Sequence, residues 1–102
     1  MSQLIAEKNK ALVLEAFETL FNKRDYGAAA RYWSHGTIVA EGNFVIVHGR
    51  FSNLGLPVNW IAADVVRLED GMLVEHWDVI QDEAARAQSK SGNPMFGSSF
   101  PE

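Results

Sequence analysis

The sequence predicts an α+β fold in which N-terminal helices pack on a four-stranded antiparallel sheet. Apolar residues recur with a helical period of about 3.6 before Ser34 and alternate with a period of about two after it. Two short turn signals, Gly42-Asn43 and Asp70-Gly71, divide the second part into strands. Helices followed by a run of strands are typical of an α+β domain rather than of repeated βαβ units.

Composition narrows the class of protein. The chain has 102 residues, which suits one domain spanning residues 1–102. Its net charge is −4 and it has no basic cluster, so nucleic acid and anionic membranes are poor partners. Without cysteine, it can form neither a disulfide framework nor a thiolate metal site. The N-terminus lacks a signal-peptide core, and this pattern is typical of a cytoplasmic protein.

Two helices are predicted before Ser34. The first covers residues 3–22, and Asp25 can cap a second over residues 26–33 that ends at Trp33. The apolar stripe of the first helix follows the spacing i, i+3, i+4, i+7, i+8 and consists of Val13, Ala16, Phe17, Leu20 and Phe21.

Four strands are predicted after the helices, over residues 35–41, 44–51, 60–68 and 72–80. Pro57 precedes the third strand, where a missing N–H is tolerated. Residues 89–102 are rich in Gly, Ser and Pro and are predicted to be an irregular tail.

A two-residue turn at Asp70-Gly71 sets an expected register for the last two strands. In that register Asp64 lies opposite Trp77, and His76 and Asp78 point to the other face of the sheet. Both faces are then largely apolar. Because the helices can cover only one face, we expect the other to pack against a second subunit in a homodimer.

Asp64 is the strongest candidate for a catalytic residue. It lies in the middle of a strand among apolar residues, where desolvation should raise its pKa and suit it to general acid or base catalysis. A buried Asp satisfied by backbone or indole N–H donors is the structural alternative. Glu75 is expected to be a solvated charge near the turn.

His76 and Asp78 are expected to form a polar cluster in the subunit interface, or a usable base. A metal site would need a third ligand, which His48 could supply, but no ligand-spacing motif supports one. We therefore expect neither a metal nor a cofactor.

Four stretches of the chain resemble one family. They are NKALVLEAFETLFNKRDYGAAARYWS (9–34), GTIVAEGNFVIVHGRFS (36–52), ADVVRLEDGMLVEHWDVIQ (63–81) and GNPMF (92–96). Together they resemble SnoaL-like proteins, polyketide cyclase relatives in the nuclear transport factor 2-like and ketosteroid isomerase superfamily. Family members carry a further segment of about thirty residues after the position of Ser34. The resemblance therefore implies that this segment is deleted or omitted here.

The resemblance implies a curved, cone-like sheet and, in the members that are enzymes, an aspartate that moves protons. That role maps onto Asp64, with Trp33, Trp60, Trp77 and Val66 as pocket walls. One function is then a cofactor-independent cyclase or isomerase, in which Asp64 moves a proton next to the carbonyl of a small apolar ketone. The alternative is a non-catalytic ligand-binding or dimerisation module of the same fold.

Overall fold

The computed structural model describes residues 2–22, 32–52 and 57–101. Helix α1 (Ser2–Phe17) continues into a π-helical turn (Glu18–Asn22), which confirms the first predicted helix. The remaining elements are strands β1 (Tyr32–Glu41), β2 (Phe44–Ser52), β3 (Trp60–Glu69) and β4 (Met72–Asp82), and a 3₁₀ turn (Arg86–Gln88). The α+β class is thus confirmed. No helix in these ranges is long and apolar enough to span a bilayer.

The four strands form an antiparallel meander in the order β1-β2-β3-β4. Both predicted tight turns are present. Asp70 and Gly71 have φ angles of 50° and 79°. Positive φ at both central residues is typical of the type I′ turn, whose twist matches that of the strands it joins. The turn therefore fixes the start of the β3–β4 pairing.

The second predicted helix is only partly open to comparison, because residues 23–31 lie outside the described ranges. Its predicted end is wrong. Trp33 lies in strand β1, which begins at Tyr32 rather than at His35. Strand β1 also runs unbroken through Ser34 and His35, which pair with Arg50 and Gly49 of β2. The first strand, in which side chains alternate between the two faces, therefore begins three residues earlier than the apolar pattern predicts.

Helix α1 packs on one side of the sheet, which we call the inner face. The side chains of Val13 and Phe17 are buried there against the strands. Val47 pairs with Asp64 and Val45 with Val66, so these four side chains point the same way. The buried core consists of Val13, Phe17, Trp33, Val45, Val47, Val66 and Leu68.

A β-bulge in β4 changes the pairing that the turn predicts. Leu68 pairs with Leu73, but Arg67 pairs with Glu75, so Val74 is an extra residue without a partner. Beyond the bulge every residue of β4 shifts by one, and Asp64 pairs with Asp78 rather than with Trp77. The predicted division of faces is therefore wrong.

The bulge moves the side chains of β4 that follow it to the faces opposite to those predicted. His76 and Asp78 lie on the inner face beside Asp64, whereas Trp77 lies on the opposite side, the outer face. The large exposed apolar side chains of the outer face are Val39, Phe44, Ile46, Trp77 and Val79.

The tail folds back over one end of the outer face. The Phe96 ring lies 5.4 Å from the His48 ring and 4.8 Å from the Arg50 guanidinium. Arg50 also donates hydrogen bonds to both carboxylate oxygens of Glu83, whose side chain is completely buried. The tail is irregular, as expected, yet it is anchored to the sheet.

Candidate active site

Asp64 lies at the centre of β3 and is buried on the inner face of the sheet. Only 2% of its surface is exposed. Its neighbours Val47, across the β2–β3 pairing, and Val66, on the same face of β3, are completely buried. The prediction for Asp64 depended on burial of its carboxyl group among apolar side chains, and the structure has this burial.

His76 is the direct partner of Asp64. Its Nε2 lies 2.7 Å from Asp64 Oδ1, while 44% of the His76 side chain is exposed. The Phe17 ring stands edge-on to the imidazole, with 5.6 Å between ring centroids. The pair thus connects a buried carboxyl group to a surface that water or a ligand can reach.

The second carboxylate oxygen of Asp64 has a different environment. Oδ2 is buried and has no hydrogen-bond partner among the described residues. A buried polar atom without a partner costs about 1–3 kcal/mol, so this arrangement works against the stability of the fold. Groups that cost stability are common where function requires them.

Asp78 completes the cluster from the facing strand. It is exposed and pairs with Asp64 across β3 and β4. One ligand-capable atom from each of Asp64, His76 and Asp78 lies within 4.8 Å of the other two. Three titratable side chains are therefore held in one patch by strand pairing.

Burial is the main reason that the pKa of Asp64 is raised above its ordinary value of 3.8. The hydrogen bond and the charge of His76 act in the opposite direction, and the negative charge of Asp78 raises the pKa further. The effect of burial dominates. A carboxyl group with a raised pKa can hold a proton closer to neutral pH than an exposed one.

The other predicted site residues are divided between the two faces. Trp33 is 2% exposed and packs in the core, with its ring 5.3 Å from that of Phe17. Trp60 is half-buried at the far end of β3, on the same face as Asp64. Trp77 is 48% exposed on the outer face and stacks on Phe44, so it cannot line a cavity beside Asp64.

Two further predictions can be compared with the structure. Val66 is a completely buried core residue next to Asp64 on β3. His48 lies on the outer face against Phe96, so it cannot act as a third ligand beside His76. Glu75 is exposed and paired with Arg67, as expected for a solvated charge.

Phe17 was not predicted to be a site residue, although it lies in the predicted apolar stripe and contacts His76. The bulge at Val74 was not predicted either. A valine in a β-rich run gives no signal that it is unpaired, since bulges have no strict residue requirement outside the glycine type.

An open groove is formed by helix α1, the π-helical turn and the start of β4. It has a volume of about 420 Å³ and is lined by Leu12, Glu15, Ala16, Thr19, Leu20 and Leu73. Leu73 and His76 are neighbours on the inner face of β4, because their partners Leu68 and Val66 are neighbours on β3. The groove therefore reaches Leu73, the neighbour of His76, but its described lining does not include Asp64, His76 or Asp78.

Comparisons with known proteins leave the family open: no family model matches the chain, and no curated protein matches it.

Proposed function

We propose that this chain is a small-molecule pocket protein that catalyses cofactor-independent proton transfer on an apolar ketone. The observation that carries the proposal is the 2.7 Å contact between the buried Asp64 carboxyl group and the half-exposed His76 imidazole. A base held in place by a buried carboxylate is a recurring arrangement in acid–base catalysis. The resemblance to SnoaL-like cyclases and isomerases supports the same reaction class.

The two side chains have separate tasks in this proposal. The Asp64 carboxylate accepts a hydrogen bond from His76 Nε2–H, which leaves Nδ1 as the basic nitrogen. His76 Nδ1 takes a proton from the carbon next to the ketone carbonyl, and the electron pair of the broken C–H bond forms the enolate. The Asp64 carboxylate stabilises the imidazolium that forms, or takes the proton of its Nε2. The exposed imidazole exchanges this proton with water and returns a proton to the original carbon or to another carbon of the enolate.

Access explains why His76, rather than Asp64 alone, faces the substrate. Asp64 Oδ2 is fully buried, so a ligand at the surface contacts the imidazole first. The groove beside Leu73 offers an apolar surface for the body of the ketone. In this proposal Asp64 remains the proton carrier, and His76 connects it to the substrate.

The test is proton exchange on a model ketone. Loss of deuterium from α-deuterated 2-tetralone is followed by NMR with the wild-type chain, Asp64→Asn, His76→Gln and the control Glu75→Gln on the outer face. Both site variants should lose about 10²-fold or more of the catalysed rate, while the control keeps it. Rates equal to wild type in Asp64→Asn or in His76→Gln would refute the proposed roles.

A binding or dimerisation module is the second candidate, and the apolar outer face favours it. Val39, Ile46 and Trp77 form one row across the sheet and are 50%, 42% and 48% exposed. Arg67 and Glu75 form an ion pair at the edge of this row, which resembles the polar rim of a protein interface. We propose a second copy of this chain as the partner.

Sedimentation velocity tests the homodimer. The variant Ile46→Glu should shift the wild-type dimer to a monomer, whereas the control Glu15→Gln, on helix α1 at the other side of the sheet, should leave the dimer intact. A wild-type chain that sediments as a monomer at about 100 μM, a concentration at which even weak interfaces form, would exclude the dimer.

A further inference from the structure

The β3–β4 pairing places three metal-ligating side chains together on the inner face. Asp64 and Asp78 are directly paired, and His76 is two residues before Asp78 on the same face of β4. One ligand atom of each residue lies within 4.8 Å of the others. Two ligands of one metal ion at about 2.2 Å can be at most about 4.4 Å apart. The 4.8 Å limit of the cluster is close to this value, and Asp78 is exposed, so its side chain has room to adjust to a bound ion.

A second observation points to a bound cation. The Asp64 side chain is only 3% exposed, and its Oδ2 atom is buried without a hydrogen-bond partner among the described residues. A cation would give this oxygen a partner and would also relieve the repulsion between two facing carboxylates. Neither Arg50 nor Arg67 does so, because Arg50 pairs with Glu83 and Arg67 with Glu69 and Glu75.

The donor set selects the class of metal. One imidazole nitrogen and two carboxylate oxygens suit divalent first-row transition metals, whereas Mg²⁺ and Ca²⁺ prefer oxygen donors alone. Two carboxylates also balance the charge of a divalent ion. Three protein ligands leave at least one coordination position for water or a ligand oxygen.

We propose that Asp64, His76 and Asp78 bind one divalent first-row transition metal ion, such as Zn²⁺ or Mn²⁺. This site goes beyond the proposed acid–base function, since a metal ion bound to the Asp64 carboxylate and His76 occupies the two groups that would otherwise move the proton. A chain loaded with metal should therefore exchange protons on the ketone more slowly than the metal-free chain. Binding itself does not depend on any reaction.

The expectation of no metal was based on the absence of a ligand-spacing motif and on a face assignment that separated His76 and Asp78 from Asp64. With His76 and Asp78 on the face opposite Asp64, only His48 was available as a third ligand. The bulge at Val74 moves them to Asp64 and leaves His48 on the other side of the sheet.

Metal binding is measured on the full chain with any affinity tag removed and EDTA dialysed away. Calorimetric titration with ZnCl₂ should give one ion per chain, and CoCl₂ should give a visible absorption band typical of nitrogen and oxygen ligands. The variants Asp78→Asn and His76→Gln should weaken Zn²⁺ binding by at least about tenfold, since losing even outer-shell partners costs that much. The controls His48→Gln and Glu75→Gln should bind as wild type does.

The two proposals fail separately. Wild-type affinity in both Asp78→Asn and His76→Gln, or wild-type binding weaker than about 1 mM, would overturn the metal site. Far-UV circular dichroism verifies that each variant is folded, and Asp78, being exposed, is the substitution that least disturbs the core. One ion per chain without any catalysed exchange in the metal-free protein would overturn the acid–base proposal and support the metal site.

Discussion

Replacing Asp64 with valine should make the protein more stable. The substitution removes a buried oxygen without a partner, which relieves about 1–3 kcal/mol. It adds a buried aliphatic side chain next to Val47 and Val66, for about 1.5–3 kcal/mol. The hydrogen bond to His76 is lost, at about 1.5–3 kcal/mol, but His76 is 44% exposed and can bond to water instead.

The expected net change is a gain of about 1–3 kcal/mol, or ~4–8 °C in Tm for each kcal/mol in a domain of this size. Urea unfolding followed by tryptophan fluorescence measures it, with EDTA present and at one fixed chain concentration so that metal binding and association do not contribute. The matched control is Asp78→Val, the same substitution at the exposed partner position, which should change stability by less than about 1 kcal/mol. A loss of more than ~1 kcal/mol in Asp64→Val would refute the reasoning, because the carboxylate would then stabilise the fold.

Three further predictions concern the proton on Asp64, the Arg50–Glu83 ion pair and two glycines of the sheet. With EDTA present, the stability of the wild type relative to Asp64→Asn should rise as the pH falls from 7 towards 4. Burial raises the pKa of Asp64 in the folded state above 3.8, so the folded chain binds the proton more tightly in that window; a difference that is constant with pH would contradict this. His76 and Asp78 are the titratable groups that act on Asp64, so the same series is repeated in Asp78→Asn. Glu83→Ala should lose about 3 kcal/mol in urea unfolding, because it leaves Arg50 without its buried partner, whereas Glu69→Gln should stay within ~0.5 kcal/mol. Gly49→Ala should cost about 1–3 kcal/mol in urea unfolding, since the new Cβ would lie 2.5 Å from Trp33 Nε1 in the core. Gly36→Ala, whose Cβ would lie 3.1 Å from the half-buried Phe96 ring, should cost less in the same assay.

Local signals predicted the elements of this fold well. The stripe that includes Val13 and Phe17 placed the first helix and the side that it buries. Asp70-Gly71 and Gly42 placed both hairpin turns, because positive φ at these positions has a strong residue preference. Periodicity failed at Trp33, where the helical spacing of small and aromatic residues continues into a strand. Pattern alone does not separate a buried strand from a short helix.

Local signals could not predict which residues of β4 meet Asp64. A single unpaired residue reverses the face of every side chain that follows it, and the cost of the bulge depends on contacts between distant parts of the chain. Asp64 was therefore identified as a candidate from its own surroundings, but its partner His76 was placed on the wrong face. A single polar residue in an apolar strand can be identified from the sequence. The residue that it contacts on the next strand can be identified only when the register of the two strands is known.

The bulge at Val74 puts polar side chains inside and apolar ones outside. Without it, Trp77 and Val79 would face α1, and His76 and Asp78 would face solvent. With it, Trp77 and Val79 are 48% and 73% exposed, while the carboxyl group of Asp64 gains an imidazole and a second carboxylate as neighbours. Burial of apolar surface favours the unbulged hairpin, at about 25 cal/mol per Å². The presence of the bulge in β4 is therefore explained if the inner cluster has a chemical role and a second copy of the chain covers the outer face.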